Sequence, residues 1–287
     1  MNKKYICAVG DSYVFGDELV PTYFKDDFKE VSEEDFGRLE YEICLNKVVS
    51  EKFYSKLDSL RFTSLVANDL GMGHINYASG GASQESIKFQ AHLLMNQLAK
   101  SNIDPADTIW LVGLTTFTRS MYLADPHDVW HNMKVAACNN NDYVWSRYSA
   151  ISFFGDREEQ HGRFSPSFTK EVIARTSDTT LRMKWVLNIL DTVNLLIANG
   201  VPKFYLLSMF NGTQVNFTQV ETANAKLILN ELISKVDNCI LPSRTVSFDQ
   251  MFHESEKCQN GHPSKIAHRR FADYIVSKIK GDTNEMD

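Results

Sequence analysis

Eight residues near the N-terminus constrain this chain more than any others: Tyr5-Ile6-Cys7-Ala8-Val9-Gly10-Asp11-Ser12. From Tyr5 to Val9 the run is apolar and β-prone, with the length of one buried strand. It stops abruptly at Gly-Asp-Ser, three residues that favour turns. In an open α/β sheet, ligands gather in the crevice outside the carboxyl ends of the strands. A serine in the turn leaving a first strand therefore stands where chemistry is usually done. The tripeptide by itself is only a turn, so the rest of the chain has to decide.

Four further β-prone runs follow, at residues 74–78, 108–116, 203–209 and 245–248. Between them lie stretches with helical spacing: 61–70 before Gly71, 84–99, 181–199 before Gly200, 220–236, and 265–280 after Pro263 and Ser264. Glycine just past a helical run and proline or serine just before one are the usual stop and start signals. Strands alternating with helix-length crossovers predict one α/β domain over residues 1–287, with a five-stranded parallel doubly wound sheet.

Two long excursions interrupt that order. Residues 21–58 combine dense acids with aromatics, and include a helical stretch at 43–57. Residues 117–180 carry Arg119, Trp130, Trp145 and His161. Long insertions in a compact domain are often functional, so a lid or cap over a cleft is one reading. A solvated surface or a homo-oligomer contact is the other.

Composition excludes several classes. Hydrophobic residues make up 43% of the 287 and charged residues 23%, as in an ordinary soluble domain. A formal net charge of -6 gives no electrostatic case for nucleic acid or an anionic membrane surface. The apolar run after Lys3 and Lys4 is too short for a signal-peptide core, and no stretch reaches the length of a membrane span. The five cysteines are scattered with no CxxC pair, which argues for free thiols in a reducing cytoplasm and against a zinc site. No metal or cofactor is implied.

Near the C-terminus comes Gln259-Asn260-Gly261-His262-Pro263-Ser264. A nucleophilic serine needs a base, and the two can be far apart in sequence yet adjacent in space. With that pairing in view, the chain resembles the SGNH, or GDSL-like, hydrolases. The resemblance implies a three-layer α/β/α, flavodoxin-like fold and four spaced blocks. Gly10-Asp11-Ser12 matches the first, whose serine is the nucleophile. Gly81, in the small-residue loop after the second strand, resembles the glycine whose N–H faces the oxyanion. Gly113-Leu114-Thr115-Thr116 stands where that family reads Gly-x-Asn-Asp, and Gly261-His262-Pro263 resembles the block that carries the catalytic histidine. The Gly-Asp-Ser-Tyr and Gly-x-Thr-Thr variants also look like SGNH-like proteins of tailed bacteriophages.

Two positions depart from the pattern. Thr115 replaces an asparagine that completes the oxyanion hole, and loss of one such donor costs on the order of 100- to 1000-fold in rate. Gln259 replaces the aspartate that orients the histidine, so the candidates for that task are the Gln259 carbonyl itself, Glu256, Asp249 or a backbone carbonyl. The resemblance implies a cytoplasmic serine esterase acting on a small O-acyl ester, such as an acetylated carbohydrate. Ser12 and His262 would be catalytic, with Ser12, Gly81 and Thr115 at the oxyanion. Asp11 reads mainly as a turn residue, and Arg119 as a candidate for an acidic substrate group or a surface ion pair. A weakened SGNH-like binding protein and an O-acyltransferase are the rival readings.

Overall fold

The computed structural model describes residues 3–16, 18–28, 47–80, 82–116, 119–123, 134–135, 144–145, 148–152, 178–210, 247–259 and 261–281. In chain order, β1 (Tyr5–Val9) leads into the short helices α1 (Ser12–Phe15) and α2 (Leu19–Tyr23). Helices α3 (Lys47–Asp58) and α4 (Phe62–Asp69) precede β2 (Gly73–Asn76), and α5 (Gln84–Lys100) precedes β3 (Thr108–Leu114). Strands β4 (Arg119–Leu123), β5 (Lys134–Val135), β6 (Val144–Trp145) and β7 (Tyr148–Ser152) come next. Helix α6 (Asp178–Ala198), β8 (Lys203–Ser208) and α7 (Lys265–Lys280) complete the described elements.

Strands β2, β1, β3 and β8 lie side by side in that order, all parallel. This is the doubly wound order in which the chain starts inside, steps outward, and crosses back over its first strand. Tyr5 is level with both Gly73 and Thr108, so β1, β2 and β3 leave the sheet at one edge. The strand order reverses between β1 and β3, and that is where α/β sheets place their ligands.

Both faces of the sheet are covered. Cys7 and Val9 of β1 join Trp110, Val112 and Leu114 against Ile87, Leu94, Trp185 and Ile189 of α5 and α6. Ile6 and Ala8 point the other way, toward Phe62, Val66, Phe271 and Ile275 of α4 and α7. Burial on both faces explains why the strands read as unbroken apolar runs. Cap residues set the helix ends: Ser83 accepts from Ser86 N–H at α5, Ser264 accepts from Ala267 N–H at α7, and Gly281 closes α7 in the left-handed region.

The expected fifth strand fails over its described part. Ser247 is an extended N-cap and Phe248–Gln250 is a 3-10 turn, because Ser247 and Gln250 form a reciprocal capping box. Residues 245 and 246, and the expected helix at 220–236, lie outside the described residues. The described sheet therefore has four strands.

The described parts of the first insertion are built into the core. Phe28, Phe53 and Leu57 are buried with the α4 and α7 cluster. In the second, β4 pairs antiparallel with β7, and β5 with β6. The remainder of both insertions, where a lid was expected, lies outside the described residues.

Candidate active site

Asp11 is fully buried and caps α1, its carboxylate accepting from Tyr13 N–H at 3.1 Å. That makes it a turn residue in structural terms, and leaves Ser12 as the first residue of the helix, 5% exposed. The turn is sterically determined. A Cβ on Gly10 would lie 2.3 Å from Val14 Cγ2, and a Cβ on Gly113 would meet the same methyl at 2.3 Å. Two of the motif glycines thus make room for one valine of the nucleophile turn, which seats α1 between β1 and β3. Asn76 fixes it from the other side, donating to the Val14 carbonyl at 3.0 Å while accepting from Ala78 N–H at 2.7 Å.

His262 reaches this turn from the far end of the chain. Its ring stands edge-on to Tyr13, centroids 5.8 Å apart. Phe210 and Phe248 pack on the same tyrosine at 4.7 Å and 5.8 Å. The loop that carries the histidine is pinned by Cys258 N–H donating to the His262 carbonyl at 2.7 Å and by Ser264 N–H donating to the Glu256 carbonyl at 2.8 Å.

The acid behind the imidazole is one that no motif marks. His262 Nδ1 lies 2.8 Å from Glu18 Oε2, and the His262 backbone N–H donates to the same oxygen at 3.2 Å. A carboxylate can only accept, so Nδ1 carries the proton and Nε2 is left as the basic nitrogen. The side chains of His262 and Glu18 are 25% and 13% exposed, so the pair is reached by solvent. Glu18 holds φ +65°, the left-handed region where non-glycine residues are uncommon. Such conformations persist only where surrounding structure imposes them, and they cluster at functional sites.

The side chains expected for that role from the sequence have other surroundings. Glu256 is engaged by Arg270, at 2.8 Å and 2.7 Å, and accepts from His253 N–H at 3.0 Å. Those bonds hold its carboxyl below the usual range. Gln259 is exposed and has no side-chain hydrogen bond among the described residues. Asp249 lies in the 3-10 turn with Ser247.

The remaining expected residues divide. Thr115 follows β3 at the same edge as Ser12, but its side chain is fully buried and its carbonyl accepts from the Trp185 indole at 2.8 Å. Gly81 lies outside the described residues, although the loop on either side of it is present. Arg119 begins β4, and its side chain is likewise outside the described set. Burial pushes the Cys258 thiol up, as it does that of Cys7. No group of metal-ligating side chains occurs among the described residues, and none of their helices is long and apolar enough to cross a membrane.

No protein-family model matches the chain, and no curated protein does. Solved structures do. A carbohydrate esterase whose active site displays divergent catalytic and non-catalytic binding functions aligns at TM-score 0.44 and 12% identity, over 99% of this chain and 67% of its own. An alpha/beta hydrolase from the metagenome of Lake Arreo, Spain, aligns at 0.42 and 12%, over 98% and 97%. An acetyl xylan esterase from the rumen bacterium Butyrivibrio proteoclasticus gives 0.43 and 12%, over 98% of this chain and 64% of that one. This chain thus spans about two thirds of two of the three. Likeness at this level assigns neither family nor activity.

Proposed function

We propose that this protein is a serine ester hydrolase working through an acyl-enzyme, with Ser12 as nucleophile, His262 as base and Glu18 as the acid that orients it. One observation carries the reading: an imidazole beside the Ser12 turn is held through Nδ1 by a carboxylate. That is the arrangement that readies Nε2 to take a hydroxyl proton.

The Ser12 hydroxyl attacks the ester carbonyl while His262 Nε2 takes its proton. The imidazolium is stabilised by Glu18. Backbone N–H groups of Ser12 and Gly81, with Thr115, would hold the negative oxygen. Collapse expels the alcohol, which leaves with the proton from Nε2, and the acyl group remains on Ser12 Oγ. Water then gives a proton to Nε2 and its hydroxide attacks the acyl carbon. The acid departs and the proton returns to Ser12. No metal or cofactor enters.

The test pairs turnover of an aryl acetate with fluorophosphonate labelling, in wild type and Ser12→Ala. Turnover and a label on Ser12, both lost in the variant, are expected. Turnover that survives Ser12→Ala would sink the proposal, and so would a folded wild type that shows neither.

A further inference from the structure

Two glutamines face inward from α5, and their hydrogen bonding differs. Gln90 is fully buried and fully paired: Oε1 accepts from Gly10 N–H at 2.9 Å and Nε2 donates to Ser79 Oγ at 3.1 Å. Ser79 N–H closes the ring on the Gly10 carbonyl at 3.2 Å. The Gly10 N–H can only donate, so the orientation of this amide is forced. The ring ties the loop after β2 to the turn that carries Ser12.

Gln84 is the first residue of α5, 1% exposed, and neither its Nε2 nor its Oε1 has a hydrogen-bond partner among the described residues. Native structures hold few such groups, and each has a cause. Its place follows from Gln90. Six residues are about 9 Å of helix axis, and α5 starts at the carboxyl end of β2. Since Gln90 pairs with Gly10 at the end of β1, Gln84, six residues nearer the start of α5, lies toward the end of the sheet from which Ser12 leaves. It shares its inward face with the buried Ile87 and Ala91. A leucine there would avoid burying an unpaired amide.

We propose that Gln84 is a subsite for the ester held at Ser12, meeting a hydroxyl on its alcohol part. Nε2–H donates to the hydroxyl oxygen and Oε1 accepts its hydrogen. The inference rests on the hydrolase reading above. A carboxamide offers a donor, an acceptor and no charge, which suits a hydroxyl. A carboxylate would set a negative oxygen against Oε1, and an alkyl chain would leave both ends unmet. An acetyl group carries no hydroxyl, so with an acetate ester the partner belongs to the alcohol. The amide makes no hydrogen bond among the described residues, so pairing with a hydroxyl breaks none of its own. The substrate class is therefore esters of polyols, sugars included.

Glyceryl monoacetate and propyl acetate share a three-carbon alcohol and differ by two hydroxyls. Gln84→Leu should lose about 10- to 100-fold in kcat/KM on glyceryl monoacetate. On propyl acetate it should stay within about twofold of wild type, and its Tm should rise because an unpaired buried amide is gone. Equal losses on both esters, no loss on glyceryl monoacetate, or a lower Tm would overturn the proposal. A wild type that turns over neither ester and leaves Ser12 unlabelled fails the hydrolase reading instead. The sign of the Tm change then still decides whether the unpaired amide of Gln84 costs the fold stability.

Discussion

His262 precedes α7 and His268 lies within its first turn, and the two imidazoles have opposite surroundings. His262 keeps a quarter of its side chain exposed, faces Tyr13 and is held by Glu18. His268 is fully buried, stacks on Phe62 with centroids 5.8 Å apart, and accepts the Phe62 N–H at 3.1 Å through Nδ1. Burial, then the charges of His262 and Arg61, push His268 down to about 3. Its ring is a neutral core aromatic whose Nε2–H has no partner among the described residues. His74 tells a similar story: its Nδ1 is 3.6 Å from Asp58, but burial and Arg61 keep it neutral, so the contact is no ion pair. Residue type does not separate the two rings; a carboxylate behind His262 and its partial exposure do.

The sharpest way to break the contrast is His262→Ala. Esterase turnover should fall by at least about 1000-fold, since removing the base of such a unit disables the nucleophile with it. Urea unfolding should shift by no more than about 1 kcal/mol, because the ring is not part of the core. Retained turnover would reduce His262 to a helix-start residue.

Next in size is Glu18. Glu18→Gln keeps the shape of the side chain but cannot stabilise an imidazolium, and should cost roughly 100- to 10,000-fold in kcat. The loss should fall on kcat with little change in KM, since Glu18 acts through His262. Glu18→Gly should be equally inactive yet more stable by up to about 1 kcal/mol, because glycine relieves the strain of a left-handed backbone. A Glu18→Gly protein that is less stable than wild type would mean that the His262 pair contributes more to the fold than the strain costs.

Much of the frame was legible. The unbroken apolar run of β1, the turn at Ser12, the serine caps and the glycine stops are local signals, and each element they mark is present. At Ser247 the strand reading missed a local signal: serine followed three residues later by glutamine starts a helical turn, which is what the chain forms over Phe248–Gln250. Glu18 was not legible. It meets a histidine 244 residues away through a left-handed turn, and no spacing rule spans that distance. Gln84 was hidden for another reason: its significance is a missing hydrogen bond, which only coordinates reveal.

The smallest expected effect concerns His268, and it is read in stability alone. Its folded pKa lies below the unfolded value near 6.5, so the unfolded chain binds the proton more readily. The stability from keeping it neutral is fully present above about pH 6.5 and is lost as pH falls toward about 3. His74 is shifted the same way and adds to the slope. Each group contributes at most about 1.4 kcal/mol per pH unit. His268→Leu should flatten part of that acid decline in urea titrations run from pH 7 to 4. It should also lower stability at pH 7 by about 1–3 kcal/mol, because Phe62 N–H loses its acceptor. Turnover at pH 7 should stay within about threefold, since a neutral ring in the core takes no part in proton transfer. An unchanged acid slope would mean that the imidazole is not held neutral by burial. Lost turnover in a folded His268→Leu protein would erase the distinction between the two histidines.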